Sequence, residues 1–170
     1  MDIHEAIAFL DRQIPNPSLG LPEEVFLFIS RMSPMVNVDL LIKDENTRTL
    51  LAWRDDEFSG AGWHVPGGII RFKEYMKARI QKVAETEIGA VVEFEPVPIA
   101  VNEIILDQNT RGHFISFLYK CFLSSKYVPE NKGLTDKDNG YLKWHDSCPK
   151  NLVNVHEMYR KYIGNIYGNK

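Results

Sequence analysis

Residues 67–90, reading GGIIRFKEYMKARIQKVAETEIGA, constrain the rest of the chain. A short apolar strand, Trp63 to Val65, runs into a glycine turn, and the helix that follows stops at Gly89. On a wheel of 3.6 residues per turn, Met76, Ile80, Val83, Ala84 and Ile88 share one stripe, the face that packs on a core. Glu87 falls inside that stripe. A carboxylate facing a core loses its hydration, so it must be protonated, paired with a base or bound to a cation. A salt-bridged residue at the edge of the stripe is the competing reading. Glu74 and Glu85 fall on the opposite face, where acidic residues are ordinary.

A chain of 170 residues suits one domain, here read as residues 1–170, with room for a single core. The formal charge of -3 gives no global basic field and argues against a nucleic-acid partner. The N-terminal MDIHEAIAFL lacks an export signal and no apolar run reaches membrane-spanning length, so the expectation is a cytoplasmic protein without a membrane partner. Two cysteines, Cys121 in an apolar run and Cys148 in a polar one, give neither a metal knuckle nor a disulfide framework.

Ile3, Ile7, Leu10 and Ile14 recur at helical spacing, and a second helix begins near Pro22 with Glu23 and Glu24 in its first turn. The apolar surface from Phe26 to Met32 is either the face of a homodimer or a cover for the sheet. From Met35 the period changes to that of strands: MVNVDLLIK, a turn at DENT, then TLLAWR. Asp39 interrupts the first of these runs. Beyond the central helix come strand pieces broken at Pro96 and Pro98, the apolar strand HFISFLYKCFL, a polar loop from Ser124 to Gly140, a short strand at YLKW, and a C-terminal helix at NVHEMYRKYI. Helices, strands, one helix, strands and a helix imply an α/β protein with a mixed sheet covered on both faces.

The stretch from Gly68 resembles the Nudix box, G-x5-E-x7-R-E-U-x-E-E-x-G-U with U aliphatic. Gly68, Glu74, Glu87 and Gly89 match, Lys82 stands at the arginine, and Val83 and Thr86 each replace a glutamate. The resemblance implies a Nudix-type α/β/α sandwich over residues 34–165, with residues 1–33 as an N-terminal helical extension. It also implies divalent-cation chemistry on a nucleotide derivative, with fewer metal ions than an ordinary diphosphatase, because Val83 cannot ligate and Thr86 offers only a neutral oxygen.

The chain is similar in particular to the GDP-mannose mannosyl hydrolases of that family, at PMVNVDLLI, LLAWR, WHVPGG, AETEIG and NVH. That likeness implies action on a nucleotide sugar, with Mg²⁺ or Mn²⁺ held by Glu87, the Gly67 carbonyl and Asp138. The branch carries a histidine base at the position of Asn139, so His113 or Asp138 takes over as the candidate catalytic base. Asp39 is the candidate for sugar hydroxyls, and Arg54, Arg71 and Gly68 for the phosphates. Water then attacks the anomeric carbon, with the nucleoside diphosphate leaving. The alternatives are a diphosphatase that cleaves the P–O bond and a domain that binds nucleotide without hydrolysing it.

Overall fold

The computed structural model describes residues 2–164. Eight strands form one mixed sheet: β1 (Met35–Lys43), β2 (Thr49–Asp56), β3 (Gly60–His64), β4 (Gly67–Ile69), β5 (Glu93–Phe94), β6 (Ala100–Ile105), β7 (His113–Phe122) and β8 (Leu142–His145). The path runs β3-β2-β1-β7-β5, with β4 paired to β1, β6 to β7 and β8 to β2. The pair β1 and β7 is parallel and the other pairs are antiparallel. This is the mixed sheet expected from the order of elements.

Alternation along β1 separates two cores. Val38, Leu40 and Ile42 join Ile80, Val83, Ala84 and Ile88 of the central helical segment. Leu41 joins Trp53, Trp63, Leu118 and Tyr159 on the other face. Each fully buried aliphatic side chain in these layers contributes about 1.5–3 kcal/mol.

The central helical segment starts later than the glycine turn suggests. Helix α3 covers Met76–Val83 and passes into a π-helical turn over Ala84–Ile88 before Gly89 ends it with φ 71°. The wider turn seats Ile88 in the core and moves Glu87 to the flank of the stripe, with its side chain 30% exposed. Glu87 thus stands at the edge of the stripe, beside His64. Glu74 corrects another expectation: it precedes α3 and is not solvated. Its carboxylate accepts from the Arg71 amide at 2.9 Å and pairs with Arg79 through Nε and Nη2, both at 2.8 Å. Burial alone would raise its pKa, but these donors outweigh it and hold the carboxyl below the usual range.

The C-terminal segment Asn154–Tyr162 winds as a 3-10 helix instead of the expected α-helix. Three residues per turn align Val153, His156 and Tyr159, all buried. In the N-terminal extension, α1 (Ile3–Gln13) buries none of its residues, although an Asp2–Glu5 capping box fixes its start. Helix α2 (Glu23–Ser30) packs closer, with Phe26 and Ile29 facing the cleft described below while Phe28 and Met32 stay exposed. Among the described residues, no helix is long and apolar enough to cross a membrane.

Candidate active site

The glycine turn lies against β1, where Asp39 pairs in register with Gly67 and Val38 with Gly68. Both glycines are dictated by contact. A Cβ on Gly67 would collide with Asp39 Oδ1, and one on Gly68 would lie 2.7 Å from Val83 Cγ2. Val83, at a glutamate position of the box, is thus the packing partner of the turn. The turn floors a cleft of about 740 Å³. Asp39, Arg54, Arg71, Gly67 and Gly68 all line it, so the structure brings these five residues together.

Asp39 is buried, and its carboxylate accepts from Asn37 Nδ2 at 2.9 Å, Tyr159 Oη at 2.6 Å and Ser116 Oγ. A carboxylate offers about four acceptor positions, so three are filled and one is left for the cleft. Burial raises its pKa to about 6 against the pull of those three donors, and the nearby charge of Glu87 adds to the rise.

Glu87 contrasts with it. Among the described residues its recorded neighbour is His64, whose Nε2 is 3.8 Å from Oε2. His64 is buried, and neither ring nitrogen has a hydrogen-bond partner. Burial lowers its pKa, Glu87 opposes that shift and Arg54 adds to it, which keeps the imidazole neutral. His64 and Arg54 line both the cleft and a smaller adjoining cavity of about 340 Å³ that contains Glu87 and Gly140. They form the wall that the two spaces share. Behind them, His156 Nδ1 accepts the Val65 amide at 3.1 Å and fixes the strand that leads into the turn.

The other acidic or polar positions of the box are engaged elsewhere. Glu85 pairs with Lys82 at 2.9 Å on the surface, and Thr86 Oγ1 donates to the Lys82 carbonyl at 2.8 Å. Asp138 lies in neither cavity. Its Oδ2 accepts from the Thr135 amide at 2.6 Å and from Thr135 Oγ1 at 2.8 Å, and the Thr135 amide, then its hydroxyl, holds this exposed carboxyl below its usual pKa. Asn139 holds this loop to β2, donating to the Asp55 carbonyl at 3.0 Å and accepting from the Asp55 amide. His113 also lies outside the cleft lining, with Nε2 at 3.4 Å from Glu103 Oε1. Arg71 donates to the Leu19 carbonyl of the extension.

Among the described residues, no group of three or more His, Cys, Asp or Glu side chains could hold a metal ion. Glu87 lines the smaller cavity and Gly67 the larger one, on either side of the wall formed by His64 and Arg54. The unpartnered His64 nitrogens next to Glu87 fit a hydrated cation, whose waters need acceptors.

Sequence reading missed His64 as a site residue, although its place directly before the glycine turn was the available signal. It also missed Arg111, which enters the cleft from the β6–β7 turn with no signal in its local sequence.

No family model matches the chain. A possible asymmetric diadenosine tetraphosphate hydrolase from Jonesia denitrificans superposes with a TM-score of 0.60 at 20% identity, over 77% of this chain and 92% of that one. A MutT Nudix hydrolase from Burkholderia pseudomallei gives 0.58 at 20% identity, over 77% and 98%. The MutT protein of Methanosarcina mazei gives 0.58 at 16% identity, over 76% and 91%. The fold is that of the Nudix hydrolases. Within this Nudix fold, the glycine turn, α3 and the π-helical turn are the segment that resembles the box. A curated relative, the low-salt glycan biosynthesis protein Agl8 of Haloferax volcanii, is 32% identical over 83 residues, 49% of this chain and 53% of that protein. The match thus spans about half the length of that relative.

Proposed function

We propose that this chain is a Mg²⁺-dependent hydrolase of a nucleoside diphosphate sugar, GDP-mannose or a close relative, with Mn²⁺ as an alternative ion. The observation that carries the reading is the thin donor set: Glu74 and Glu85 are ion-paired, Val83 is buried, Thr86 bonds its own helix, and Glu87 is the one carboxylate lining the smaller cavity. Such a site suits chemistry that asks for one Lewis acid on the leaving group. The Agl8 relative, named for glycan biosynthesis, is in keeping with a sugar-bearing substrate.

In this reading Glu87 and the Gly67 carbonyl hold the ion, and Asp138 joins them once it releases Thr135. A divalent cation bound there would supply charge neutralisation to the departing diphosphate. Arg54 and Arg71 hold phosphate oxygens through their guanidinium forks, and the Gly68 backbone allows close approach. The fourth acceptor position of Asp39 takes a sugar hydroxyl. Departure of the nucleoside diphosphate leaves an oxocarbenium-like anomeric carbon that needs little activation of water. His64 is placed to accept the water proton, since its ring nitrogens are unpartnered and it lines both cavities beside Glu87, whereas His113 lines neither cavity and Asp138 is bonded to Thr135.

Incubation with GDP-mannose and Mg²⁺ in water enriched in heavy oxygen tests the reading. Label in the released sugar is expected. Label in phosphate assigns P–O cleavage instead, and no turnover across nucleotide sugars, nucleotides and dinucleotides overturns both routes.

A further inference from the structure

Arg111 has no part in the chemistry above, yet the molecule holds it in an expensive position. It occupies the left-handed region with φ 54°, uncommon for a side chain of this size. Its backbone amide donates to Ser30 Oγ of α2 at 2.9 Å, and its carbonyl accepts from Gln108 Nε2 at 2.8 Å. The guanidinium carbon is 4.5 Å from the centre of the Phe58 ring and 5.8 Å from that of Phe26. Nε is buried without a hydrogen-bond partner, and among the described residues no carboxylate lies within 4 Å of the group. Burial lowers its pKa and the like charge of Arg54 lowers it further, against the pull of the more distant Asp56, Glu23 and Glu57 carboxylates. Three segments far apart in sequence, α2, the β2–β3 loop and the β6–β7 turn, thus combine to hold in the cleft one guanidinium whose Nε has no hydrogen-bond partner.

We propose that Arg111 is a substrate-positioning residue which, with Arg54, grips the diphosphate of the ligand, and that the N-terminal extension completes the site by holding Arg111 through Phe26 and Ser30. The assignment of the diphosphate rests on the reading of the substrate given above. Phe58 and Phe26 already supply the aromatic contacts of the guanidinium, so what remains for a ligand is its N–H edge, suited to oxyanions. Arg54 keeps a 3.5 Å contact from Nε to Asp56, and a multiply charged anion can bridge the remaining N–H groups of both guanidiniums, which a single carboxylate spans less well, in a cleft also lined by Ile104, Leu106 and Phe114. Arg54 lies on the wall shared with the Glu87 cavity, so a diphosphate held by both arginines reaches towards that carboxylate.

The test is calorimetric titration of inorganic diphosphate into the full chain with chelator present, so that neither metal nor turnover enters the result. Arg111→Gln is expected to weaken binding at least about 10-fold, the scale of hydrogen bonds to a charged group, and Arg111→Lys to recover only part of that loss. Phe26→Leu, which leaves the charge and loosens its support, is expected to weaken binding about 3-fold with α2 still folded. Diphosphate affinity in Arg111→Gln within about twofold of the parent overturns the proposal, as does tighter binding of glucuronate than of diphosphate. If Arg111→Gln fails to fold, Arg111→Lys decides: undiminished affinity there means the guanidinium is not the group that binds. Diphosphate binding that survives in a chain hydrolysing no nucleotide sugar supports this site while removing the proposed reaction.

Discussion

Two carboxylates border the glycine turn, and they have opposite surroundings. Asp39 is buried and accepts from three side chains, one of them the hydroxyl of the buried Tyr159. Glu87 is partly exposed, with the imidazole of His64 at 3.8 Å. Full satisfaction fixes a shape, because each donor is oriented by the acceptor and the acceptor by its donors. Incomplete satisfaction leaves affinity for something absent from the chain itself. Asp39 therefore has the surroundings of a residue that shapes the cleft, and Glu87 those expected of the ligand in the proposed reaction.

The strongest way to break this contrast is Glu87→Gln. Turnover of the nucleotide sugar is expected to fall by at least about 100-fold, beyond the loss typical of an outer-shell partner, with the melting temperature nearly unchanged. Equal losses of activity and stability would place Glu87 with Asp39. Val83→Glu restores a box glutamate by sequence but puts it where 3% of the side chain is exposed, against Gly68. It is expected to destabilise the fold by about 3 kcal/mol or more in denaturant titration and not to activate the enzyme.

Asp39→Asn sharpens the comparison from the other side, with an expected loss of about 1–3 kcal/mol from the unmatched donors around it. It also carries a pH signature. The folded pKa of Asp39, about 6, is raised above the ordinary carboxyl value of 3.8. The native state therefore holds this proton more tightly, and the group's contribution to stability is full below about pH 3.8 and lost as pH rises through 6. The stability gap between parent and Asp39→Asn should shrink over that window in melts at successive pH values. Thr86→Ala, which removes a bond within one helix, is expected to change stability by about 0.5 kcal/mol or less.

The fold was legible because its signals are local and periodic. The alternation in MVNVDLLIK, the turn at DENT and the glycine pair before a helix each depend on neighbours in sequence. The candidate site was legible only where a motif carries it, as at Gly67 and Glu87. Arg111 reaches the cleft through contacts with Ser30, Phe26 and Phe58, which no local pattern encodes. Asp138 shows the same limit in reverse: its position in the loop could be counted from Trp144, but the direction of its carboxylate depends on Thr135. The wheel of 3.6 residues put Glu87 inside the core stripe because it cannot register a turn wound more widely than α.

That wide turn over Ala84–Ile88 makes the reach of Glu87 a matter of chain length as well as of residue type. A wide turn is geometrically one extra residue inserted into a helix, and removing that residue rotates everything after it by about 100°. Deletion of Thr86 would thus turn the glutamate away from His64 while keeping every acidic side chain in the segment. Among related sequences, gaps in this turn should track gain or loss of the site as closely as substitutions at the glutamate positions do.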